Sequence, residues 1–375
     1  MLVYGLNEVF IFLISFLTFW SLIYILSKRV LLKRHRLSIQ PFFIKWELNS
    51  FREFLYKCSS RWGRIWRVFS WISVFIGVGL TFFALAFLSW NIIRASLLYE
   101  RVSSVTLVIP GVTFKLYWLP YFLIATIITV FLHEAAHGIV ALNEGVSIKS
   151  SGALLLAIFF GGFVELDEEK LDESSYTARL KIFSAGSASN ILCGLIIFLL
   201  LSGLFIQSPS GLIILEMIEG GPLQRAGIRS WDIIYALDGR EIRTMQDLID
   251  FMSNVRPWEE ITVRTGRGNF IVTAEPSPEE GGRAIIGLVS SLIYYPSRLG
   301  LGYLLDAQLY LILNWLFIVL ISVAIFNMLP IPYLDGDRLL QCLLEKFPRG
   351  RILLKNIFNA LSIFLFLINI IISSV

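Results

Sequence analysis

Six apolar runs, each long enough to cross a bilayer as a helix, dominate the hydrophobic pattern: residues 8–27, 68–93, 117–142, 178–206, 299–328 and 351–373. A hydrocarbon core takes about 20 helical residues, so each run predicts one transmembrane helix. No basic residue precedes the first run, and Lys28 and Arg29 follow it. That is the reverse of a signal peptide, which predicts an uncleaved span with a cytoplasmic C-terminal end. Residues 28–67 carry eleven Lys or Arg against three in 94–116, and this asymmetry places the 28–67 loop in the cytoplasm. Six crossings then leave both termini outside. Within the basic loop, Phe42 to Trp66 mixes aromatic and charged residues, which predicts a segment lying along the membrane surface.

Between the spans the pattern shortens. Val146 to Gly152 alternate weakly, Ala153–Phe160 are wholly apolar, and Gly161-Gly162-Phe163-Val164-Glu165 follow before acidic residues from Asp167 to Glu173. Eight apolar residues cannot span as a helix, so residues 146–166 predict a short re-entrant β-hairpin whose backbone is covered by protein or lines a wet cavity. A second β-rich stretch, Val105 to Phe114, is broken by Pro110-Gly111. Residues 209–290 are charged and dotted with glycine, and they predict a small α+β domain of about eighty residues. Its strands fall at Leu212–Met217, Asp232 to Leu237, Ile261–Arg264 and Asn269–Ala274. Thr244 with Asp247 three residues on predicts a capped helix through Met252. The organisation is therefore 1–116, two spans with a basic loop; 117–208 and 291–340, membrane segments on either side of the 209–290 domain; and 341–375, a last span.

Composition agrees with the pattern. Of 375 residues, 56% are hydrophobic and 16% charged, with a mean hydropathy of +0.72; globular domains carry about 25% charge. The net charge of +4 flanks apolar spans and accompanies no nucleic-acid motif, so no nucleic acid is expected as a partner. Cys58, Cys193 and Cys342 are scattered, forming neither a disulfide framework nor a metal knuckle.

Candidate chemistry sits at the end of the third span, in His133-Glu134-Ala135-Ala136-His137. On a helix, residues four apart share a face, so the two imidazoles can hold one metal ion while Glu134 takes a proton from a water beside it. The chain has three histidines and two are here. Ionisable groups at membrane depth cost roughly 2.5–3.5 kcal/mol each, which argues against an idle helix end. Catalytic zinc has three protein ligands and an open position. Asp335, the first acid after Asp306, ends a helix broken by Pro330 and Pro332, and is either the third ligand or a plain Asp-Gly turn. In the fourth span, the small residues Ser184 to Ser189 allow close helix approach, and Asn190 is either interhelical glue or a site residue.

These pieces together resemble the site-2 protease family of intramembrane zinc metalloproteases: His133 through His137, Gly161 through Glu165, Phe183-Ser184-Ala185-Gly186 with Asn190, and Asn327 through Gly336, in that order. The resemblance covers roughly residues 117–335, and residues 209–290 resemble the PDZ domain that many members insert. One departure is Ser187, where many members have proline. The resemblance implies a polytopic α-helical membrane protein with a PDZ-like extracytoplasmic domain. It also implies a zinc site of His133, His137 and Asp335 toward the cytoplasmic side, and Glu134 as the general base. Asn327 and Asn190 would donate to the substrate carbonyl or developing oxyanion. Substrates would be single-span membrane proteins drawn into extended form, with the 146–165 hairpin offering an edge strand. The PDZ-like domain would bind an extended peptide, with Ile285 to Val289 as candidate edge. Two other readings stand beside this one: a prenyl-protein type of membrane metalloprotease, with a glutamate as third ligand, and a catalytically silent PDZ-bearing scaffold.

Overall fold

The computed structural model describes residues 2–29, 37–98, 105, 113–277, 282–347 and 349–374. Most of Val105–Phe114 and the third histidine, His35, lie outside the described residues. The elements run α1 (Leu2–Arg29), β1 (Leu37–Gln40), β2 (Phe43–Glu47), α2 (Asn49–Arg61), α3 (Gly63–Ile93), α4 (Leu119–Asn143), β3 (Ile148–Leu156), β4 (Phe159–Leu166), α5 (Glu168–Glu173) and α6 (Tyr176–Leu204). Then come β5 (Gly211–Met217), α7 (Pro222–Arg225), β6 (Ile233–Leu237), β7 (Arg240–Glu241), α8 (Met245–Met252), β8 (Glu260–Thr265), β9 (Gly268–Thr273), β10 (Glu275–Pro276), β11 (Ala284–Ile285) and β12 (Leu288–Tyr294). The chain ends with α9 (Tyr303–Asn327), α10 (Asp335–Leu343) and α11 (Arg351–Ser374).

Among the described residues, six helices are long and apolar enough to cross a membrane: α1, α3, α4, α6, α9 and α11. Phe75 on α3 is 78% exposed and Phe82 67%, side chains that water would penalise and acyl chains would solvate. The chain is an integral, multi-pass membrane protein.

Contacts divide the chain into two compact units, with boundaries inside α6 and α9: residues 1–197 with 315–375, and residues 198–314. In the first, α4 begins with Pro120 in its first turn, where a missing N–H costs nothing. It ends at Gly145, whose φ of 86° suits glycine. Val146 N–H reaches the Ala141 carbonyl at 2.9 Å and Gly145 N–H that of Leu142 at 3.2 Å, a Schellman closure that turns the chain straight into β3. The expected hairpin forms as β3 and β4. It belongs, however, to a four-stranded antiparallel sheet in the order β1-β2-β3-β4. The two added strands come from the basic loop. The start of the Phe42-to-Trp66 segment, expected along the membrane surface, follows a turn at Pro41-Phe42 and pairs Phe43 with Leu156 through Glu47 with Gly152. Its alternation is too short to stand out from the aromatic-and-basic composition around it. The next helix, α2, buries Phe51 and Leu55 against Ala135 and Ile139 of α4.

Helix α9 packs Leu316, Val319 and Leu320 on Phe122 and Ala125 of α4. Asn369 on α11 donates to the Leu88 carbonyl of α3 at 3.0 Å, satisfying an amide within the bundle. Asp337 on α10 accepts from Asn359 at 3.0 Å and pairs with Lys355 at 3.1 Å, tying α10 to α11.

The second unit is built on the strand order β12-β5-β6-β8-β9, with β7 off β6. Its core gathers Leu212, Ile214, Ile234, Leu237, Val263 and Val272 under Leu248 and Met252 of α8. Thr244 and Asp247 form the expected capping box. Ile285 to Val289 is not one edge: Ile285 pairs in β11 with β10, Gly287 turns at a φ of 85°, and Leu288 and Val289 open β12, which with β9 forms the edges of the sheet.

Candidate metal centre

His133 and His137 sit one turn apart near the end of α4, and the polar cluster stays buried because α6 covers it. Asp335 is the first residue of α10, delivered after α9 stops at Asn327 and the chain passes Pro330 and Pro332. Its Oδ2 lies 3.0 Å from Nε2 of each histidine, and the two Nε2 atoms lie 3.2 Å apart. Three corners of a tetrahedron around an ion with bonds near 2 Å would stand about 3.3 Å apart. The donor set therefore fits a zinc ion at three corners, with the fourth open. Among the described residues, this is the cluster of His, Cys, Asp and Glu groups that can hold a metal.

The back of each ring is also held. His137 Nδ1 is 2.6 Å from the Ile182 carbonyl, which can only accept, so Nδ1 carries the proton and Nε2 is left free as a ligand. His133 Nδ1 is 3.3 Å from the Asn190 side-chain amide, and the Asn190 Oδ1 atom is otherwise buried with no partner. Turning that amide over makes Oδ1 the acceptor of the Nδ1–H, satisfying both groups and again freeing Nε2. Asn190 is fully buried, behind the ring. Asn327 stands on the other side: its amide is 3.3 Å from His133 Nε2, the ligand face. The two asparagines thus occupy different sides of one imidazole, a distinction that sequence spacing could not make.

Gly186 went unremarked beyond its place in the small-residue cluster. A Cβ there would lie 2.7 Å from His133 Nδ1 and closer still to His137 Nε2, so the approach of α6 to both imidazoles depends on glycine. The Val164 amide was also missed. It donates to Glu134 Oε2 at 3.0 Å, anchoring one oxygen of the carboxylate to β4.

Glu134, His137 and Asp335 open onto a cavity of about 460 Å³ whose other walls include Phe43, Lys45, Leu154, Phe163, Tyr333 and Arg338. Tyr333 is 99% exposed with a φ of 76°, a strained conformation for a bulky residue at the cavity rim. On the sheet side, hydrogen bonds from Ser150 at 2.6 Å and Lys45 at 3.0 Å hold the Glu165 carboxyl down at about 2, so it stays ionised.

Comparison with known proteins agrees with this geometry. A family model described as peptidase family M50 matches residues 121–371, from the start of α4 to α11. An uncharacterized protein of Methanocaldococcus jannaschii is 30% identical over 278 residues, covering 73% of this chain and 70% of that protein. A membrane-bound transcription factor site-2 protease homolog of Arabidopsis thaliana is 26% identical over 213 residues, 54% of this chain and 41% of its own length. Zinc metalloprotease RasP of Geobacillus kaustophilus is 24% identical over 215 residues, 44% of this chain. The chain spans 50% of RasP and less of the plant protein. The matched region contains His133, Glu134, His137, Asn190, Asn327 and Asp335, and on that match the chain belongs to peptidase family M50, the membrane zinc metalloproteases.

Proposed function

We propose that this protein is an intramembrane zinc metalloendopeptidase that hydrolyses peptide bonds within or beside the transmembrane segments of single-span membrane proteins. The observation that carries the reading is the convergence of His133, His137 and Asp335 from two separate helices, with Glu134 alongside at the cavity wall. Zinc bound there supplies Lewis acidity for the scissile carbonyl and brings the pKa of a coordinated water toward ~7. Glu134, held by Val164 N–H, takes the proton of the attacking water and passes it to the departing amine. Asn327, on the ligand face of His133, donates to the carbonyl oxygen as charge develops on it. Asn190, on the opposite face, holds His133 in the tautomer that ligates through Nε2. Ligation by Asp335 favours this reading over the prenyl-protein type, whose third ligand is a glutamate.

Substrate must be extended to expose its peptide bonds. Strand β4 is an edge of its sheet and runs beside α4, which supports addition of an extended segment along it. The basic residues of the 28–67 loop support an active site toward the cytoplasm and residues 209–290 on the outer side. The β12-edged sheet with its capped helix α8 supports a PDZ-like domain that takes an extended peptide at β12. The test is cleavage of a reconstituted single-span substrate by wild type and by Glu134→Gln and Asp335→Ala, with zinc measured in each. Glu134→Gln is expected to keep zinc and lose cleavage, and Asp335→Ala to lose zinc. Normal cleavage by Glu134→Gln would sink the mechanism, and unchanged zinc affinity in Asp335→Ala would return the prenyl-protein reading.

A further inference from the structure

The region that matches the family begins at residue 121, yet strand β2, which ends at Glu47, forms part of the catalytic cavity. Phe43 and Lys45 are two apart on β2, so they project from one face of the sheet. Leu154 on β3 and Phe163 and Glu165 on β4 line the same cavity and share that face, with Lys45 directly opposite Leu154 in the register. The attachment of β2 is built in. Five residue pairs join it to β3, turning β3 into an interior strand. A Cβ at Gly152 would lie 2.9 Å from Leu48 N and closer still to the Trp46 carbonyl, so β3 carries glycine where this strand crowds it. Across β3, Lys45 Nζ reaches Glu165 Oε2 at 3.0 Å and sits 4.6 Å over the Phe163 ring, clamping β2 to β4 on the cavity side. At the far end, Trp20 of α1 donates its indole N–H to the Ala157 carbonyl at 3.1 Å, and Phe42 stacks on Phe16. Helix α1 thus holds the tips of both hairpins.

We infer that strand β2 is a wall of the substrate cleft and that Phe43 is a specificity-determining residue, setting the size of the apolar side chain admitted at the sheet-side end of the cavity. The inference rests on the hydrolytic reading of the same cavity. With the outer edge of β3 covered by β2, the sheet offers β4 as its edge beside α4, and a substrate segment running on from there into the cavity meets the face from which Phe43, Leu154 and Phe163 rise. Phe43 stands opposite Leu156 in the register and is the apolar residue that β2 gives to the cavity, beside Lys45. Lys45 is the positioning residue that keeps this wall in place.

The test uses the full-length protein in lipid vesicles with a series of single-span peptides carrying Ala, Leu, Phe or Trp as guest at each position flanking the cut. Phe43→Ala is expected to raise cleavage of the Trp and Phe guests relative to Ala at one position by about tenfold or more, the scale on which apolar pockets discriminate size. Phe43→Trp is expected to shift the preference the other way at that same position. Zinc content is expected to be unchanged in both, which separates a wall residue from a collapsed site. If both variants bind zinc and cleave all guests in the wild-type ratio, whether faster or slower, Phe43 sets no preference and the inference is wrong. If zinc-loaded wild type cleaves no guest at all, the hydrolytic reading falls and the inference with it.

Discussion

His133 and His137 each leave Nε2 free to ligate because Nδ1 is already engaged, and this is where single residues matter most. For His137 the partner is a backbone carbonyl, Ile182 O, which no substitution removes. For His133 it is Asn190, which can be replaced. Asn190→Ala is expected to weaken zinc binding about 10–100-fold, as loss of a partner behind a metal-bound histidine generally does. Asn190→Asp, which keeps an acceptor at Nδ1, is expected to bind zinc more tightly than Asn190→Ala. Zinc competition against a chelator checks both, and unchanged affinity in Asn190→Ala would leave the residue as interhelical glue. Gly186→Ala is expected to lower zinc content in a protein that still folds, since its Cβ falls on both imidazoles. Metal analysis of the purified variant decides it.

At the scale of elements, the break between α9 and α10 sets Asn327 and Asp335 around one centre although eight residues separate them. Asn327→Ala is expected to slow cleavage by roughly 10²–10³ with zinc retained, as for loss of an oxyanion donor; loss of zinc with no separate effect on rate would make the residue structural. In the other unit, Asp232 opens β6 and is 4% exposed. Burial pushes its carboxyl up, but hydrogen bonds from Arg267 and from the Arg229 amide outweigh this and hold it below the usual range. A carboxyl lowered in the folded state contributes stability that is present above its unfolded value of about 3.9 and lost as pH falls through the folded one. Arg267→Ala is therefore expected to speed hydrogen exchange of β5 and β6 amides at neutral pH, with the difference from wild type closing below about pH 4. Equal exchange at pH 7 would show that the pair contributes nothing.

For the whole molecule, the strand pairing explains how a domain can interrupt a membrane protein. Gly211 and Tyr294 are partners in the β5–β12 register, so the chain enters and leaves the six-stranded sheet side by side. A short linker can replace what lies between. The proposal that this domain stands outside and controls which substrates reach the catalytic helices has a direct test. Replacing residues 212–288 with a short Gly/Ser linker is expected to keep zinc and activity on short substrates while admitting substrates with bulky outer portions. Loss of cleavage on every substrate, in a folded and zinc-loaded protein, would make the domain a delivery device instead.

What the sequence determined by itself is local. Helix length against bilayer thickness depends on a run of neighbours, so six spans could be read from composition along the chain. The spacing of His133 and His137 fixes their shared face on any helix, and Asp335 stood out as the acid that directly follows a helix broken by two prolines. The capping box at Thr244 and the strands expected at Ile261–Arg264 and Asn269–Ala274 are also short-range, and they formed, the strands pairing as β8 and β9. What only the tertiary structure decided is pairing between distant residues. Strand β2 meets β3 more than a hundred positions away, with a register set by Gly152 and by Lys45 reaching Glu165. The side of His133 that each asparagine takes depends on how α6 and α9 rotate against α4, and Gly186 shows its purpose only when two rings lie against it. A pattern along the chain records which face of an element is apolar. It does not record which partner, from among several apolar helices and strands, comes to lie on that face.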